Sequence, residues 1–176
     1  MNRILALSAA LAVSLVAASC GGGSSASGPC PKIGVLPDAS NYTVTDASGQ
    51  VRALARLDVS HAPCIYNKSR FTETGYSSVS TVLTVTVSAV RGEGSSVSSL
   101  TAPVRVATIS ADGVLTGQQD FDIDVSVPAG ATGRDDERVE ITVPYPGSGF
   151  AEQHRIVVAF RIDRNAVLVN RSRLGR

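Results

Sequence analysis

Val79-Ser80-Thr81-Val82-Leu83-Thr84-Val85-Thr86-Val87-Ser88-Ala89-Val90 is the stretch on which the fold turns. In an extended chain, successive side chains point to opposite faces. Val79, Thr81, Leu83, Val85, Val87 and Ala89 then share one face, while Ser80, Thr84, Thr86 and Ser88 mark the other. β-Branched residues suit such a pleated, half-buried surface. The stretch predicts a long strand with one dry and one wet face, closed by the turn Arg91-Gly92-Glu93-Gly94-Ser95-Ser96.

The same alternation repeats outward from it. Residues 51–60 set Val51, Ala53, Ala55, Leu57 and Val59 against Arg52, Leu54, Arg56, Asp58 and Ser60, and Pro63 limits the run before Cys64. Residues 32–36 form a short first strand ended by Pro37-Asp38. On the C-terminal side, residues 104–109 are followed by the turn Ala111-Asp112-Gly113. Phe121, Ile123, Val125 and Val127 then point inward, with Asp120, Asp122, Asp124 and Ser126 outward. Val139, Ile141 and Val143 come next, then Ile156, Val158, Phe160 and Ile162, then a shorter strand over residues 166–169. No segment of a dozen residues carries the 3.6-residue period of a helix. About eight strands at this spacing predict an all-β, antiparallel two-sheet sandwich of the immunoglobulin or fibronectin III kind over residues 30–170. A closed barrel is the alternative.

Composition agrees with one folded domain. The chain has 176 residues, 43% hydrophobic and 18% charged, which excludes a disordered chain. The net charge is +1, and without Arg3 the charges balance. That gives no basic surplus with which to displace counterions from nucleic acid.

The N-terminus has the layout of a secretory signal peptide. Arg3 supplies the positive charge, residues 4–17 an apolar run, and Ala18-Ser19-Cys20 a small-residue end. About 15 residues at 1.5 Å each reach roughly 22 Å, short of a ~30 Å hydrocarbon core, so the run is too short for a transmembrane helix. Val16-Ala17-Ala18-Ser19-Cys20 looks like a lipobox, although Ala17 stands where Leu is commonest. That motif implies removal of residues 1–19 and acylation of Cys20, with cleavage near Cys20 without lipid as the alternative. Residues 20–29 then comprise the lipidated Cys and a Gly/Ser linker expected to stay a flexible coil. Gly21 rather than Asp follows the Cys, which by the lipoprotein pattern implies the periplasm-facing leaflet of the outer membrane.

With Cys20 assigned to lipid, Cys30 and Cys64 remain. In an oxidising compartment a disulfide is the default expectation; free thiols and a redox or metal role are the alternatives, and no C-x-x-C spacing supports the latter. The lipobox, Cys30-Pro31-Lys32-Ile33 opening a strand, and Cys64-Ile65-Tyr66-Asn67 after a strand of mixed polarity together resemble a group of alphaproteobacterial outer-membrane lipoproteins. The resemblance implies envelope localisation and a sandwich fold; it brings no activity.

Candidate sites are few. Asp120, Asp122 and Asp124 put three carboxylates on one strand face. Calcium takes six to eight oxygen ligands and is a weak candidate partner; cross-strand pairing with Arg105 or Arg138 is the other expectation. Asp135-Asp136-Glu137 is expected in an exposed loop. Ser148 lies in Pro146-Gly147-Ser148-Gly149, without the G-x-S-x-G frame of a nucleophile elbow. His61 and His154 are the only histidines, far apart and without metal-ligand spacing. Tyr145 and Phe150 flank a Pro/Gly loop and form a weak candidate partner-contact patch. Residues 171–176 make a basic tail that could attract anionic head groups. No motif asks for a cofactor. The expected role is a non-catalytic, membrane-anchored envelope module that binds or scaffolds other envelope proteins. A small-ligand or calcium-binding domain is the alternative, and a hydrolase is a more distant one.

Overall fold

The computed structural model describes residues 25–145, 147 and 153–173. Cys20, the leader, Ser148 and Phe150 lie outside the described residues. Ten strands run in chain order: β1 Ala26–Gly28, β2 Lys32–Val35, β3 Asn41–Thr45, β4 Val51–His61, β5 Cys64–Lys68, β6 Tyr76–Arg91, β7 Ser99–Ile109, β8 Leu115–Ser126, β9 Gly133–Pro144 and β10 Arg155–Phe160. A 3-10 turn at Pro37–Ala39 and a helix, α1 (Arg164–Arg173), complete the described residues.

The alternating stretch of β6 is the spine of one sheet. One side of β6 pairs with β9 from Ser78↔Pro144 to Ala89↔Gly133. Its other side is shared by β4 and β5. The pairs His61↔Leu83 and Ile65↔Ser80 differ by one residue in register, so β4 and β5 form one line along β6 interrupted by a bulge at Ala62-Pro63. Proline, which has no N–H to give the ladder, belongs at such a bulge. β3 and β1 pair with β4 and β5, respectively, as the outer row. The second sheet has the order β2-β10-β7-β8. The connections β6–β7, β8–β9 and β9–β10 pass between the sheets, which remain separate, and the result is a sandwich rather than a barrel.

The core between the sheets is mostly aliphatic. Leu83, Val85 and Val87 of β6 meet Val104 and Val106 of β7, Val125 of β8 and Val158 of β10, all at 0–1% exposure. The chain passes close to itself where β8 hands over to β9. A Cβ on Gly133 would lie 1.6 Å from the carbonyl oxygen of Ser126, so only hydrogen fits there.

Several expectations need correction. The short strand expected at residues 166–169 is part of helix α1. Four apolar residues in a row fit either period, and here they wind around a ten-residue helix, with Ala166 and Val167 half-buried and Leu168 and Val169 exposed. Asp135-Asp136-Glu137 is not a loop but the first part of β9, opposite Val85–Val87. β9 forms the edge of its sheet, where charged residues reach water and deter pairing with another chain. Residues 26–28 of the expected coil form β1, paired with Cys64–Tyr66. The sheets are not wholly antiparallel either, because β2 runs parallel to β10. The Cys30–Cys64 disulfide is present, with Cα atoms 5.3 Å apart. It ties the β1–β2 segment to the bulge.

Candidate functional site

The acidic stripe lies on the outer face of β8, and each carboxylate has a partner in its own cross-strand row. Asp120 faces Arg105 of β7, whose guanidinium donates from Nε and Nη2 to the two carboxylate oxygens, both at 2.7 Å. Asp122 faces Pro103, whose small ring leaves a path for Arg161 beyond β10 to donate to Asp122 at 2.6 Å. Arg161 also lies 3.9 Å from Asp120. Thr101 donates its hydroxyl to Asp124 at 2.6 Å. Of the two arginines expected to pair here, Arg105 does so. Arg138 is on the other sheet, opposite Thr84. Arg161 was not foreseen, because its position depends on β10 lying beside β7.

A shared cation is disfavoured by this arrangement. Carboxylates two residues apart on a strand are about 7 Å apart, and each of these already spends acceptor capacity on an arginine or a hydroxyl. Among the described residues no group of three or more His, Cys, Asp or Glu is placed to hold a metal ion. The hydrogen bonds from Arg105 hold the Asp120 carboxyl below its ordinary value, and the charges of Arg105 and Arg161 add to this. A depressed folded-state pKa contributes stability above the unfolded value near 3.9 and loses it as pH falls through the folded value. Wild-type protein should therefore lose melting temperature between pH 7 and pH 3, and Arg105→Met should show a smaller loss. Thermal melts at the two pH values check this. Because the pair is exposed to solvent, the difference should be small and should shrink in salt.

The two histidines lie at strand ends, and Ser148 is outside the described residues. His61 ends β4, where its Nδ1 lies 2.9 Å from the Ala62 carbonyl oxygen and donates to it; the Cys30 sulfur is 3.7 Å away. His154 precedes β10, half-buried, and its carbonyl accepts from the Lys32 amide at 3.2 Å.

Of the expected contact patch, Phe150 lies outside the described residues and Tyr145 is half-buried. It packs edge-on against Tyr66 and Tyr76, with ring centroids 5.4 and 5.8 Å away. The Tyr66 hydroxyl donates to the Pro29 carbonyl at 2.6 Å, and burial, followed by proximity to Tyr145, pushes its pKa up. This aromatic cluster seals the end of the core beside the disulfide. The basic C-terminal segment is also committed internally at Arg171, which donates from Nε and Nη2 to Asp38 at 3.0 and 2.7 Å. Asn170, 6% exposed, donates to the Asp38 and Asn41 carbonyls, pinning α1 beside β3.

That docking creates an open groove of about 410 Å³ between α1 and the outer face of β3, β4 and β6. Its floor holds Leu54 and Val90, cross-strand neighbours that are 41% and 39% exposed; Asn41, Arg56, Ser88 and Asn170 stand around them. The signal for it lay in the sequence. Leu54 and Val90 fall on the polar phase of their strands, among Arg52, Arg56 and Ser88, and so are apolar residues expected on the wet face. The groove itself depends on α1, which the alternation did not reveal.

No protein-family model matches this chain, and no curated protein matches it. Among solved structures, it is similar to the variable (V) domain of the Streptococcus agalactiae AgI/II polypeptide BspA, at 15% identity over 74% of this chain and 77% of that one, with a TM-score of 0.23. So slight an overlap carries no argument about function.

Proposed function

We propose that this chain is an envelope lipoprotein, held by an acylated Cys20 at the periplasmic face of the outer membrane, whose sandwich acts without catalysis by binding a protein partner. The groove beside α1 carries the binding part of this reading. Its exposed Leu54–Val90 floor with a polar rim has the anatomy of a protein contact. The sandwich end sealed by three tyrosines and a disulfide suits a domain that must stay folded outside the cytoplasm. The reading of Cys20 rests on the lipobox.

Crosslinking in intact envelopes followed by pull-down tests the binding. Wild-type protein should capture a discrete envelope protein, and Leu54→Glu/Val90→Lys should lose that capture while melting close to the wild-type temperature, since opposite charges suit two cross-strand neighbours that reach solvent. Capture undiminished by the double substitution, or no specific capture by wild type, would contradict the proposal.

A further inference from the structure

We propose that the end of the sandwich carrying the β5–β6 and β7–β8 turns rests against the bilayer, with Phe71 entering the interfacial region and Arg70 meeting anionic lipid head groups. This rests on the reading of Cys20 as the lipid anchor. The strand registers fix the geometry. Ala26, the start of β1, pairs with Tyr66 near the end of β5, so the N-terminal segment meets the sandwich on the side of the β5–β6 turn. The β7–β8 turn lies at the same end. Arg91, at the far end of β6, donates to the carbonyl of Val127, just past β8, which puts the end of β8 opposite and its start here.

The two ends differ in their turns. The β5–β6 turn presents Phe71 at 86% exposure, and the β7–β8 turn presents Val114 and Leu115 at 55% each. The turns at the opposite end, residues 46–50, 92–98 and 128–132, have no exposed large apolar residue of their own; Leu36 after β2 and Leu54, Val90, Leu168 and Val169 on the strands and helix around the groove are 39–49% exposed. Phe71 is the most exposed large apolar side chain among the described residues, and so full an exposure lacks a reason in the fold and marks a contact. The occupant follows from the tether. From Cys20 to Ala26 the chain spans at most about 20 Å, so an acylated Cys20 keeps this end, and not the other, within reach of the membrane. The Phe71 ring supplies apolar area to bury at the acyl boundary. The Arg70 guanidinium, 5.2 Å from that ring's centroid, supplies a positive charge at head-group depth. The anchor alone leaves the domain free to tumble; these contacts would set its orientation and turn the groove beside α1 away from the lipid.

The sequence contains no Trp, so a single indole reports on one place. Full-length acylated protein carrying Phe71→Trp would be reconstituted in phosphatidylethanolamine/phosphatidylglycerol vesicles, with and without acyl-chain bromination. Ser96→Trp, in the turn at the opposite end, provides the comparison. Flotation with the vesicles and intact mass report the anchor independently of the probe. The expected result is flotation of both variants, with a blue shift and bromolipid quenching at position 71 and neither at position 96. Flotation with solvent-like, unquenched emission at position 71, or equal quenching at both positions, would overturn the docking and leave the anchor standing. Protein that is unacylated and stays with the soluble fraction would overturn the anchor reading and this proposal with it.

Discussion

Replacing both disulfide cysteines, Cys30→Ser with Cys64→Ala, should destabilise the domain by roughly 3–4 kcal/mol, the chain-entropy value for a cross-link of this span. The two residues are 34 apart in sequence. Cys64 is fully buried at the bulge between β4 and β5, and Cys30 packs against the same core. Without the bond, the segment from β1 to β2 keeps three pairs with β5, four with β10, the Tyr66–Pro29 hydrogen bond and the packing of Ile33 and Val35. For a domain with a stability on the order of 5–15 kcal/mol, the loss is a large share of the total. Urea unfolding of the double variant against wild type measures it. An unchanged midpoint and slope would show that the segment holds without its cross-link.

Leu83→Ala should cost about 3 kcal/mol, within the 2–5 kcal/mol range of buried leucine truncations. Leu83 is 0% exposed in the middle of β6, between His61 of β4 and Val139 of β9 in register. It has neighbours on both flanking strands and the opposing sheet across from it, so the site has little freedom to collapse. The adjacent Val82 is 38% exposed on the other face, and Val82→Ala should stay within about 0.5 kcal/mol. Thermal or urea unfolding of the two variants side by side tests the alternation on which the fold was read. Comparable losses would mean that β6 does not face the core as described.

Strands with strict alternation and a buried face were legible: β4, β6, the second half of β8, and β10. β3 and β5 were not. Asn41–Thr45 is brief and follows a proline turn. Cys64–Lys68 follows Pro63, which looks like a strand stop and is in fact a bulge within a continuous line of pairing. The charges of Asp135-Asp136-Glu137 masked the start of β9, because an edge strand tolerates on both faces what a central strand would not. Helix α1 was hidden by its four-residue apolar run. The parallel pairing of β2 with β10 joins residues more than a hundred positions apart, and nothing local encodes it.

At the candidate sites the legible part was again local. Arg105 stands opposite Asp120 because two neighbouring strands alternate in phase, and the two cysteines suggested their bond by number and compartment. Arg161 reaches Asp122 only because β10 lies against β7. Tyr145 looked like a loop residue since its partners, Tyr66 and Tyr76, come from strands whose ends the sequence left undefined. The groove over Leu54 and Val90 needed both the out-of-phase residues and a helix docked through Asn170.

The intact mass of the protein extracted from its envelope tests the central claim most directly. The account predicts a chain beginning at Cys20 with a thioether-linked diacylglycerol and an amide-linked acyl chain. A polypeptide without acyl groups, or one still carrying residues 1–19, would contradict it.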